Sequence, residues 1–267
     1  MGFSRYICPT HSFDVSMTEA KKIQSELREY VVLSGSVPDD VEVIGGADVA
    51  FLKNPYTSYN PAENSNNNHD TAFPGTGKTP AQSTDGTVHT ALAVIVTLDV
   101  KTCRILETVY ATAPVFFPYI PGFLSFREGP AVLAAFRKLK TAPGVMMYDG
   151  CGIAHPRGFG LASHMAVLTG VPSVGCAKSL LCGACDDPLP EKGNWTALHY
   201  KNEYVGSCLR TRNNVRPVYV SPGSGFSVDS ARELVLSFTG KYRLPEPTRL
   251  AHNFVTAKKK EYMSNGV

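Results

Sequence analysis

Residues 144–164 read GVMMYDGCGIAHPRGFGLASH. An apolar run, Gly144 to Tyr148, ends on one acid, Asp149. A Gly-Cys-Gly turn follows, then His-Pro-Arg and a small-residue segment with helical spacing. The run has the length of a buried strand, and Phe159 to Leu168 that of a helix. A strand that delivers a carboxylate at its carboxyl end, just before a glycine turn and a helix, is the ligand-side edge of an α/β sheet.

Working outward, Ser16-Met-Thr-Glu19 is a capping-box pattern, and an amphipathic helix is expected from there to about Leu33. Val41 to Phe51 reads as a strand carrying one acid, Asp48. Strands are expected at Thr90–Val100, Ile105–Ala113, Pro172–Ala177, Tyr204–Arg210 and Pro217–Ser221. Helices are expected over SFREGPAVLAAFRKL, from Ser125, and over Ser227–Phe238. Strands cluster first and then alternate with helices. That order predicts an α/β fold, a mixed central sheet flanked by helices. Residues 53–86 are rich in Asn, Ser, Thr, Pro and Gly and read as a disordered insertion within one domain spanning 1–267. Residues 256–267, with Lys258-Lys-Lys260, read as a loose basic tail.

The chain has 267 residues, 43% of them hydrophobic, and a formal net charge of +3, which permits an anionic partner without demanding one. No apolar run is long enough to span a bilayer, so no membrane role is expected. Seven scattered cysteines and no N-terminal apolar segment favour reduced thiols and an intracellular location, cytoplasm or nucleus. Gly75-Thr-Gly-Lys-Thr79 mimics a phosphate loop, but Ala72 stands where that pattern needs its first glycine. Cys182-Gly-Ala-Cys185 lacks the second pair of ligands a structural zinc site requires.

The acids carry more. Asp48 interrupts an apolar strand, although the alternate side of that strand could simply face water. Glu128 lies three residues after Ser125 and could be only a capping box. Asp149 could be a helix cap. As a set, three acids from separate elements meeting at one sheet edge would repel one another unless a cation sat between them. Hard oxygen ligands suit Mg2+ or Mn2+, and such an ion supports phosphodiester hydrolysis. Gly150 and Gly152 would let backbone approach a flat ligand. His155 could contact phosphate or the attacking water, and Lys178, at another strand end, could offset developing charge.

These residues resemble the endonuclease V family. The likeness rests on GGADVAF around Asp48, PYIPGFLSFREGP at 118–130, DGCGIAHPRGFGLASH at 149–164 and GVPSVGCAKSLL at 170–181. The resemblance implies a ribonuclease-H-like fold and a magnesium-dependent cut at the second phosphodiester bond 3′ of inosine. The nucleic acid would be single-stranded RNA or deoxyinosine-containing DNA, the products a 3′ hydroxyl and a 5′ phosphate, and the enzyme a monomer. By matching position it implies metal binding by Asp48, Glu128 and Asp149, catalytic roles for His155 and Lys178, and a strand-separating wedge at Tyr119. Gly122, Leu124, Gly150 and Leu161 match positions that line the family's base pocket, and with Pro121 and Gly152 they are the expected substrate-binding residues. Two departures stand out. Cys151 replaces the asparagine more usual in the family, and Val220-Ser-Pro-Gly-Ser-Gly225 carries Ser224 and Gly225 where the family usually has His-Arg. Ser224 cannot take imidazole's acid–base role. A second reading is therefore an inosine-binding module with weak or no cleavage, and Asp229 is a candidate to compensate for the missing histidine. A general phosphoryl hydrolase, indifferent to Tyr119, is a third.

Overall fold

The computed structural model describes residues 11–36, 40–54 and 88–264. Eight strands form one mixed sheet in the order β3-β2-β1-β4-β5-β8-β7-β6. They are β1 (Val43–Asn54), β2 (Val88–Asp99), β3 (Ile105–Pro114), β4 (Val145–Tyr148), β5 (Ser173–Ala177), β6 (Trp195–Tyr200), β7 (Glu203–Leu209) and β8 (Val218–Ser224). The helices are α1 (Met17–Arg28), α2 (Leu124–Phe136), α3 (Leu161–Thr169), α4 (Val228–Ser237) and α5 (Glu246–Ser264).

Strands β1 and β4 run parallel at the sheet centre, where Ala47 pairs with Tyr148. Strand β2 lies antiparallel to β1 and is buried on both faces, with Ala91, Leu92, Ala93, Val94, Ile95 and Val96 all at 1% exposure or less. Its side chains alternate between two cores. Leu92, Val94 and Val96 pack with Ile44 of β1 and with Ala251 and Val255 of α5. Ala91, Ala93 and Ile95 pack with Ala47, with Ala131 and Val132 of α2, and with Met165 of α3. Helices on both faces give the ribonuclease-H-like arrangement. Helix α1 starts as its sequence pattern predicts, with the Ser16 hydroxyl accepting from the Glu19 amide at 3.2 Å and the Glu19 carboxylate accepting from the Ser16 amide at 3.0 Å.

Helix α5 corrects the sequence reading. Residues 256–264, expected as a loose tail, continue a 19-residue helix. Thr248, Ala251 and Val255 recur at near-helical spacing and are buried, so a lysine-rich run can ride on a helix whose other face is anchored. Strand β6, an edge strand with little apolar alternation, was not foreseen. The expected insertion and the Gly75–Thr79 stretch lie outside the described residues, except that residues 53 and 54 extend β1. No helix among the described residues is long and apolar enough to cross a membrane.

Candidate active site

Pairing of Ala47 with Tyr148 decides where the first two acids go. Asp48 and Asp149 are the next residues along two parallel neighbouring strands, so both emerge at one point of the sheet. The Asp149 amide donates to the Ala47 carbonyl at 3.4 Å. Strand alternation turns Asp48 toward the α5 face, with Ile44 and Gly46. There His252 of α5 contacts it, Nδ1 to Oδ2 at 2.7 Å. The Asp48 side chain is only 11% exposed and also accepts from the Val49 amide at 2.8 Å. Lys178, just past β5, forms an ion pair with Asp149 Oδ2.

One donor atom from each of Asp48, Asp149 and His252 lies within 4.8 Å of the other two, spacing that suits ligands of a single cation. Two carboxylate oxygens and one imidazole nitrogen are a donor set that divalent ions accept. Glu128 is not part of that triplet. It enters from α2, is buried, and is coupled electrostatically to both aspartates. Burial, followed by the charges of Asp48 and Asp149, raises its carboxyl well above the usual range. Asp48 is raised as well, by burial first and then by Asp149, while its bond to His252 opposes the rise. Three crowded carboxyls, offset only by Lys178 and by Arg127 beside Glu128, leave an excess of negative charge that a divalent cation would relieve.

The humbler roles considered for the acids are taken by other groups. Helix α2 begins at Leu124 with no side-chain cap, and the Ser125 hydroxyl bonds His164 Nδ1 at 2.9 Å instead of closing a capping box with Glu128. Gly160, not Asp149, occupies the N-cap of α3. Asp48 faces His252 rather than water.

A cavity of about 760 Å³ opens beside the acids. Tyr119, Pro121, Gly122, Leu124, Gly150 and Leu161 all line it. Tyr119 is 75% exposed. Gly122 sits at φ +80°, and a Cβ there would meet Arg157 Nη2 at 2.9 Å. Its carbonyl accepts from three donors: Gln24 Nε2 at 3.0 Å, His155 Nε2 at 2.9 Å and Arg157 Nη2 at 2.5 Å. Gly152 is a correction. It does not line the cavity; its backbone packs on β8 so closely that a Cβ would meet the Pro222 carbonyl oxygen at 1.9 Å. It serves packing, and its amide donates to the Ser221 hydroxyl at 2.9 Å.

His155 lines the cavity, but both its ring nitrogens are occupied. Nδ1 faces the amides of Arg157 and Phe159, at 3.1 and 3.4 Å. Those contacts make Nδ1 the acceptor, so Nε2 carries the proton and donates to the Gly122 carbonyl. Burial lowers its pKa to about 4, so the ring is neutral at pH 7. In this geometry the His155 ring pins the Gly122 wall of the cavity.

Ser224 does not line the cavity. Its hydroxyl accepts from the Val32 amide at 3.0 Å, while the Gly225 amide donates to the Val32 carbonyl at 2.7 Å. Asp229 pairs with Arg232 at 2.6 Å and accepts from the Tyr204 hydroxyl, a helix first-turn acid rather than a substitute for histidine. His252, which meets the acids, was missed in the sequence. Its signal was Ala251 and Val255 four apart, with a histidine beside them on the next helical position.

A family pattern described as Endonuclease V matches residues 77–253. An Endonuclease V of Kosmotoga olearia is 40% identical over 255 residues, covering 95% of this chain and 96% of that protein. The crystal structure of the Streptomyces avermitilis Endonuclease V superposes with a TM-score of 0.76 at 34% identity, covering 97% of this chain and 100% of that one. The Ciona intestinalis Endonuclease V, solved with a 24mer DNA containing an inosine followed by a ribo-adenosine, shares the fold at 24% identity and TM-score 0.67, covering 92% and 98% of the two chains. Sheet, acid cluster and relatives define an endonuclease of ribonuclease-H-like fold. The chain belongs to the Endonuclease V family.

Proposed function

We propose that this chain hydrolyses the second phosphodiester bond 3′ of inosine in a single strand of nucleic acid, leaving a 3′ hydroxyl and a 5′ phosphate, with Mg2+ as cofactor and Mn2+ able to replace it. The observation that carries the reading is the convergence of Asp48, Asp149 and His252 within 4.8 Å, beside a cavity partly walled by glycine backbone. Those three residues would hold the ion, with Glu128 lining the same cavity. When bound, the ion polarises the phosphoryl oxygen and lowers the pKa of the attacking water. Lys178 supplies fixed positive charge where negative charge develops.

The pocket residues divide the work of recognition. Extruding a base costs a few kcal/mol, and stacking on Tyr119 where the base has left offsets part of it. Gly122 and Gly150 bring backbone to the base edge without side chains in the way. The donors gathered on the Gly122 carbonyl hold that wall in place before the substrate arrives.

The reading is tested by cleavage of matched RNA and DNA oligonucleotides, with inosine and with adenine, in Mg2+ and then Mn2+. Inosine is the base to try first, since the Ciona protein was crystallised with it. Cutting at the second bond 3′ of inosine is expected. Asp149→Asn should abolish cutting while leaving binding intact, and near-normal turnover by that variant would defeat the metal role. Binding without cutting in either metal would establish the inosine-binding module instead. The engagement of Ser224 with Val32, and the presence of His252 at the acids, favour the nuclease.

A further inference from the structure

Helix α5 presents two faces. Ala251 and Val255 are buried against the sheet, at 0% and 2% exposure. On the adjoining face His252, Thr256, Lys259, Lys260 and Met263 recur with the spacing of one helical stripe, and all five line the cavity that holds the acids. Lys258 points elsewhere. Its Nζ pairs with Glu261 at 2.9 Å and stands 4.4 Å from the centre of the Tyr110 ring. Among the described residues, Lys259 and Lys260 enter no ion pair. Two uncompensated cations therefore border an acid-lined cleft, where protein carboxylates alone would leave a phosphate chain unattracted.

The direction of the helix gives these lysines an address. Gly46 of β1 abuts Pro247, Asp48 meets His252, and Lys258 stands over Tyr110 of β3. Tyr110 pairs with Val94, and Val94 with Asp48, so α5 crosses the sheet from β1 toward the β3 edge. The base-side residues Gly150 and Leu161 lie on the opposite side, following β4. Lys259 and Lys260 stand about 10–12 Å beyond His252 along the helix axis, at the usual rise per residue. The cavity thus runs from the base-side residues past the acids to this stripe.

We propose that Lys259 and Lys260 bind the phosphates 3′ of the scissile bond and hold the downstream strand across α5. The proposal rests on the reading of the site as an inosine-strand nuclease cutting 3′ of the base. It is tested with the full chain and two inosine oligonucleotides, one ending a single nucleotide past the scissile bond and one running well beyond it. K259A/K260A should raise KM for the long strand and leave kcat at saturation unchanged, while the short strand should not distinguish the variant from wild type. Each phosphate contact on a single strand steepens the log–log salt dependence by about 0.7. Between about 50 and 200 mM salt, wild type should therefore lose roughly sevenfold more affinity for the long strand than the double variant does. K259E/K260E should show a larger KM effect than the alanine pair, and K258A none. If wild type cuts but K259A/K260A keeps its KM and salt slope, the proposal is overturned. Equal losses on the short and long strands would overturn the 3′ placement. If wild type neither binds nor cuts inosine strands, the parent reading fails first and this one falls with it.

Discussion

Glu128 shows how a single residue can serve chemistry at a cost to stability. It is buried among like charges, so its ionised form is disfavoured in the folded chain. The sign follows directly. A carboxyl whose pKa is raised on folding stabilises the native state only while protonated, so stability falls as pH climbs through the window above the ordinary carboxylate value. Glu128→Gln keeps the shape and removes the charge. In metal-free protein at neutral pH it should raise Tm by about 2–4 °C for each kcal/mol of relief, measured by calorimetry. The same variant should lose most cleavage activity, the usual exchange where a strained site is functional. An unchanged or lowered Tm would contradict the account of the acid cluster. Asp48, Glu128 and Asp149 were legible in the sequence as acids placed against the grain of their elements. Their lesser alternatives were excluded only by seeing which groups the caps and carbonyls actually use.

At the scale of elements, the site depends on how closely α5 lies on β1. Gly46 has no side chain, and a Cβ there would come within 2.1 Å of the Pro247 carbonyl carbon. Backbone cannot yield as the tip of a flexible side chain can. Gly46→Ala should therefore lift the first turn of α5, at a cost of about 1–3 kcal/mol. It should also draw His252 away from Asp48, weakening the Mg2+-dependent rise in Tm; retention of both the stability and the Mg2+ response would show that α5 is not seated by this contact. Residues 43–46 looked in the sequence like an ordinary strand start. The reason for the second glycine lay in a helix two hundred residues away, and for the first in β4, where a Cβ would meet Met146 Sδ. Helix α5 itself was hard to read because its polar stripe is continuous and its buried stripe is thin.

Across the whole molecule, buried histidines set the response to acid. His155 is neutral in the folded chain, its pKa lowered by burial from 6.5 to about 4. His164, buried beside His11 at 2.6 Å between ring nitrogens, is lowered well below its ordinary value. A base depressed on folding contributes stability that is full above its unfolded pKa and is lost as pH falls toward the folded value. His155 alone corresponds to about 3 kcal/mol lost between pH 6.5 and about 4. Urea unfolding at pH 7 and at pH 5 should show the decline, and His155→Gln should flatten it. An identical pH slope in that variant would mean that His155 protonation is not coupled to unfolding.

The sequence by itself determined the fold class, most element positions and the family, because those are written locally, in periodicity, caps and contiguous motifs. Tertiary structure decided which groups meet. The parallel register of β1 and β4 placed Asp48 beside Asp149. The docking of α5 supplied His252, and the packing of β8 turned Gly152 from a ligand contact into a spacer and Ser224 into a clasp for Val32. Contacts between residues so distant in the chain depend on which faces bury together, and no local pattern specifies that.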